Sequence, residues 1–178
     1  MSSPRSDTRE RIQFVARELF AEKGVQRTSL QDIAARLGVT KPALYYHFKS
    51  REDLVRSILQ PLIDEGEDYL AQCERVGRLT PREILDGFFD FHYRHRADLV
   101  LVVTELSTVA DLGLMERMLS WRERFAALVF GPAPTLEQGT RAVIALGGLQ
   151  DCCMQFPDVP RAELRKATVD GALAALGI

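Results

Sequence analysis

With 178 residues, 46% hydrophobic and 27% charged, the chain is long enough for one compact domain or two small ones sharing a core. Its start, MSSPRSDTRERIQ, has no apolar stretch of leader type, and its longest apolar run, LVLVV at 99–103, is far below the roughly 18 residues of a membrane span, so a soluble cytoplasmic protein is expected. The net charge of -2 is divided: residues 1–60 hold 11 Lys and Arg against 7 Asp and Glu, the remainder 12 against 18, which suggests an N-terminal part suited to a polyanion.

Helix starts are marked by capping boxes, in which an N-cap oxygen and a side chain three places on satisfy free backbone donors. Five are present: Asp7 with Glu10, Thr28 with Gln31, Ser50 with Asp53, Thr80 with Glu83, and Thr135 with Gln138. No comparable strand signal accompanies them, and an all-α fold is expected.

The first helix is predicted over about 8–23, with Ile12, Val15, Ala16, Leu19 and Phe20 at helical spacing and Gly24 as its stop. The first six or so residues are left as a disordered candidate. A second helix runs from Thr28 to about Arg36, Gly38 supplies a turn, and a third begins near Thr40. Two short helices across a glycine turn make a helix-turn-helix candidate.

In the third helix, Val39, Leu44 and Phe48 share the core side. Lys41, Pro42, Tyr45, Tyr46 and His47 are pushed outward, an odd use of two aromatics unless a large partner sits there. Duplex DNA fits, because such a helix offers donors and apolar surface to base edges while hydroxyls and lysines grip phosphate. No acid lies between Asp32 and Glu52, and Arg36, Lys41, Lys49 and Arg51 are basic, so the local field favours phosphate.

Residues 8–57 carry ARELFAEKGVQRTSL, IAARLGV, LYYHF and KSREDL in that order, and this stretch resembles the DNA-binding domain of the TetR family of transcriptional regulators. The resemblance implies a helix-turn-helix domain over 1–50 and a helical regulatory and dimerisation domain over 51–178. It implies DNA contacts by Thr28, Thr40, Lys41, Pro42, Ala43, Tyr45, Tyr46, His47 and Lys49. Many members have Gly with Thr or Ser where this chain has Pro42 and Ala43, and apolar contact with a thymine methyl is a substitute for the missing hydroxyls. Gln31 has two uses, the cap or a base edge. Tyr45 divides between packing through its ring and phosphate contact through its hydroxyl, and His47 between a surface residue and a backbone contact.

Later helices are expected over about 51–75, 81–96, 98–108, 112–130, 136–155 and 161–176, separated by the Gly- and Pro-rich stretches GRLTP, GPAPT and FPDVP. The last two have small-residue faces, Ala142, Ala145, Gly147 and Gly148 on one and ATVDGALAAL on the other, which suit close helix approach. Family resemblance pairs these two helices with those of a second copy in a homodimer; packing within one chain would use the same faces. It also implies a small-molecule effector that releases the protein from a palindromic double-stranded operator, as a repressor.

Residues for an effector pocket are Phe88, Phe89, His92, Thr104, Glu105, Met118, Trp121, Phe125 and Gln150, although aromatics and methionines at helical spacing fill cores on any reading. Three cysteines, Cys73, Cys152 and Cys153, with no CxxC pair and no histidines at zinc spacing, argue against a disulfide framework, and the adjacent Cys152 and Cys153 read as buried, inert thiols. No metal or cofactor is expected. Two other readings stay open: an all-helical enzyme using Glu65, Glu67 and Asp68, for which no ExxH partner exists, and a regulator whose C-terminal domain is a protein-interaction surface.

Overall fold

The computed structural model describes residues 4–104, 109–110 and 113–178, and the regular elements among them are helices. The first, α1, runs Pro4–Lys23. It starts earlier than the Asp7 box predicts, because Pro4 is tolerated in a first turn and Asp7 then lies in that turn, where its charge suits the helix dipole.

Helix α2, Leu30–Leu37, corrects the second box. TSLQ and SLQD overlap, and the structure uses the latter: Ser29 Oγ accepts from Asp32 N at 3.1 Å while Asp32 Oδ2 accepts from Ser29 N at 2.8 Å. Thr28 is excluded from the cap because it is buried, with its hydroxyl donating to Gly24 O at 2.8 Å to close the α1–α2 turn. Gln31 is thereby released from capping and is exposed. The Asp32 carboxyl is held down at about 2 by the Ser29 backbone N–H first, then the Ser29 hydroxyl and Lys23.

Gly38 ends α2 at φ 68° and donates to Ala34 O and Ala35 O, a left-handed turn that a side chain would resist. Helix α3, Lys41–His47, follows at once, with Thr40 as N-cap and Pro42 in the first turn, where no helical N–H is lost. Leu44 and Phe48 are fully buried, and each adds about 2–3 kcal/mol of apolar burial to the grip on α1 and α2.

Helix α4 spans Arg51–Val76. Its cap is only half a box: Ser50 Oγ accepts from Asp53 N, but Asp53 Oδ2 accepts from Lys49 N. Pro61 lies inside α4 and has no N–H for the carbonyl of Ser57, four residues earlier. Gln13 of α1 supplies it, with Nε2 donating to Ser57 O at 3.1 Å and Ser57 Oγ at 3.0 Å. The gap in one helix's ladder is thus where the N-terminal unit is tied to it.

The rest comprises α5, Pro81–Arg94; α6, Arg96–Thr104; α7, Leu114–Phe130; α8, Leu136–Gln155; and α9, Arg161–Leu176. The Thr80–Glu83 and Thr135–Gln138 boxes open α5 and α8 as expected. Residues 105–108 of the expected 98–108 helix lie outside the described residues. The α8–α9 pair packs on α5, α7 joins α4 to α8, and α6 is wedged among α1, α4, α5 and α8. Buried residues from Ile12 to Leu176 form one apolar core. An N-terminal helix-turn-helix domain is followed by a helical C-terminal domain.

The acidic run on α4 serves helix packing. Glu65 meets Arg94 and lies 2.7 Å from the His95 ring, and Glu67 accepts from Trp121 Nε1 at 2.8 Å and Arg124 at 2.5 Å. Gly66 lies against the Trp121 ring, and a Cβ there would collide with it. Among the described residues no helix is long and apolar enough to cross a membrane.

Candidate nucleic-acid interface and interior cavity

The outward side of α3 presents Lys41, Pro42 and Ala43 on its first turn and Tyr45 and Tyr46 on its second, with Tyr46 65% exposed. The Lys41 ammonium lies over the Tyr45 ring at 5.6 Å, and Tyr46 meets His47 edge-on at 5.4 Å. Arg9 of α1 fixes the far end, donating to His47 O at 3.3 Å and covering the Phe48 ring. Thr40 is exposed, and its Oγ accepts from Ala43 N at 3.4 Å.

The basic residues around the turn divide into two groups. Arg36 is committed to Glu22, and Arg51 binds Gln26 O at 3.0 Å together with Glu52, so both hold the fold. Lys41 and Lys49 have no ion pair among the described residues. Beside α2 an open hollow is lined by Tyr45, by Arg27 and Lys49, whose positive charge suits an anion, and by Ser29, whose N–H and hydroxyl both donate to Asp32 Oδ2 at 2.8 Å.

The second feature is a cavity of about 160 Å³ between α5, α6, α7 and α8. Phe88, His92, Met118, Trp121 and Gln150 of the predicted set line it. Phe125 and Phe89 do not: the former packs edge-on against Phe88 at 5.3 Å, and the latter stacks on Tyr93 at 5.6 Å, both as core. Thr104 lies instead in a small cleft between α1 and α6, its hydroxyl donating to Val100 O. Glu105 lies outside the described residues. Sequence reasoning missed Leu99, Val102, Arg122 and Leu146 as lining residues. The α7 members Met115, Met118 and Arg122 follow helical spacing around Trp121, a signal that could have found Arg122.

His92 is buried, and its Nδ1 lies 2.8 Å from Phe88 O. A carbonyl can only accept, so Nδ1 carries the proton and Nε2 of the neutral ring is an acceptor. Burial first, with smaller contributions from His95 and Arg122, lowers its pKa to about 4 against the opposing Phe88 bond. Burial first, then the neighbouring Cys152, pushes the Cys153 thiol up to about 12.

Residues 14–58 match the model of bacterial regulatory proteins, tetR family. The chain is 34% identical over 91 residues to the HTH-type transcriptional activator FasR of Mycolicibacterium smegmatis, covering 49% of this chain and 42% of FasR. It is 35% identical over 81 residues to the HTH-type transcriptional repressor BepR of Brucella suis, covering 46% and 39%. The matches thus span less than half the length of these two relatives. A transcriptional regulator from Aquifex aeolicus superposes over 94% of this chain and 98% of its own, with TM-score 0.74 and 26% identity. Residues 14–58 are thus a DNA-binding segment of the TetR type. TetR-family proteins are transcription regulators rather than enzymes, which accords with Glu65 and Glu67 being engaged in helix packing.

Proposed function

We propose that the protein is a sequence-specific DNA-binding regulator that acts as a homodimer on a palindromic operator and is released from it by a small molecule, as a repressor. One observation carries the reading: a seven-residue helix and its C-cap bury Leu44 and Phe48 completely while Lys41, Tyr45 and Tyr46 are exposed. Two adjacent exposed tyrosines beside a lysine on a firmly anchored helix make a surface suited to base edges and phosphate.

In this reading residues 1–50 form the DNA-binding domain and 51–178 the regulatory one. Lys41, Pro42, Ala43, Tyr45 and Tyr46 meet the major groove, with Gln31 free to reach a base edge. Thr40, His47 and Lys49 lie at the backbone. With Thr28 buried and the Ser29 donors engaged by Asp32, Arg27 meets the phosphate at the hollow beside the start of α2.

The second copy docks on α8 and α9. Support comes from the outer face of α8, where Leu136 is 85% and Ile144 63% exposed beside Val143, and from Gly147, Gly148 and Gly171, which have open space above them. A larger apolar groove continues this face between α7 and α8. Ala142 and Ala145 are buried inward against their own chain, so the small residues of α8 serve two different contacts.

The test is selection of duplex DNA from a random library at moderate salt. A palindrome with half-site centres about 34–36 Å apart, or a multiple of this, is expected. Lys41→Ala should weaken it and flatten the salt dependence, and Tyr46→Ala should weaken it by about tenfold or more. Enrichment of no sequence, or of sites that both variants bind as tightly, would remove the reading.

A further inference from the structure

We infer that the interior cavity takes a compact aromatic carboxylate whose acid group pairs with Arg122. This rests on reading that cavity as the effector site.

The described lining contains one cation, Arg122, and no acid. Two residues further along α7, Arg124 carries both Glu67 and Glu74. Arg122 has no carboxylate or hydrogen-bond partner among the described residues. Arg122 lines both this cavity and the outer groove between α7 and α8, and a guanidinium turned to the largely apolar cavity gains most from a planar, bidentate anion, which a carboxylate is.

Size and wall chemistry set the remainder of the ligand. The cavity is about 160 Å³, and a protein cavity of about 150 Å³ is known to admit benzene. Its walls include the rings of Phe88 and Trp121 together with Met115 and Met118, surfaces suited to the face and edge of one aromatic ring. The buried His92 adds a neutral acceptor, its Nε2 lacking a partner among the described residues. It can receive a ligand hydroxyl and does not compete with Arg122 for the acid.

Trp121 is the only tryptophan in the chain and lines the cavity, so its fluorescence reports binding without DNA. The full-length protein is titrated with benzoate and with its neutral isostere benzamide. Benzoate should give a saturable change with affinity about tenfold or more above that of benzamide. Arg122→Gln should lose that advantage while leaving the weak benzamide response and the helical circular dichroism unchanged, and Arg122→Lys should restore part of it.

Benzamide binding as tightly as benzoate would overturn the acid preference while leaving an effector cavity in place. No saturable response to either compound would overturn the inference itself. A protein that selects a palindrome but fails here remains a DNA-binding regulator. If Arg122→Gln weakens the dimer and leaves benzoate affinity unchanged, Arg122 belongs to the subunit interface and the inference fails.

Discussion

His92 shows how one residue couples burial to pH. Its folded-state pKa of about 4 lies below the ordinary 6.5, so between these values the unfolded chain binds the proton and the folded chain does not. The stability tied to the neutral ring is therefore complete above 6.5 and is lost as pH falls towards 4, by roughly 3 kcal/mol in total. Urea midpoints at about pH 7.5 and about pH 5 should fall further for the native protein than for His92→Gln. Equal decreases would mean that His92 does not titrate in this window. Sequence could nominate His92 for a pocket but not its proton position, which follows from a 2.8 Å contact with Phe88 O. The Thr28 error has a similar origin: two overlapping box patterns are chemically equivalent on paper, and burial of Thr28 decides between them.

At the scale of elements, the clearest device is the seam between α1 and α4. Pro61 leaves the Ser57 carbonyl without a helical donor, and Gln13 fills that place from another helix. Gln13→Met, which keeps volume and removes the donor, should cost about 1 kcal/mol in urea denaturation. In a Pro61→Ala background the same change should cost less than half as much, because the alanine's backbone N–H can then serve Ser57 O. An equal cost in both backgrounds would sink the idea. A second tie lies close by, where Arg17 of α1 grips Asp98 of α6 at 2.6 and 3.3 Å, and α6 also supplies Leu99 and Val102 to the cavity. One short helix therefore touches both the cavity and the N-terminal unit.

Across the whole molecule, the proposed dimer turns on the α8 face. Ile144→Glu puts a charge on a surface that twofold symmetry would meet twice, and sedimentation should show the dimer weakened by about a hundredfold or more with helical content retained. Operator affinity should decline with it. An unchanged dimer would move the interface elsewhere. The sequence alone determined the helices, their order and most of their ends, because capping boxes, glycine stops and 3.6-residue periodicity are local signals. It also separated the buried and outward sides of α3, since Leu44 and Phe48 are spaced on one face. Tertiary structure alone decided which arginines hold the fold, which aromatics line space rather than fill it, and which small residues of α8 face outward. Those outcomes depend on partners distant in the chain, such as Glu67 for Arg124, and no local pattern encodes where a second helix will lie.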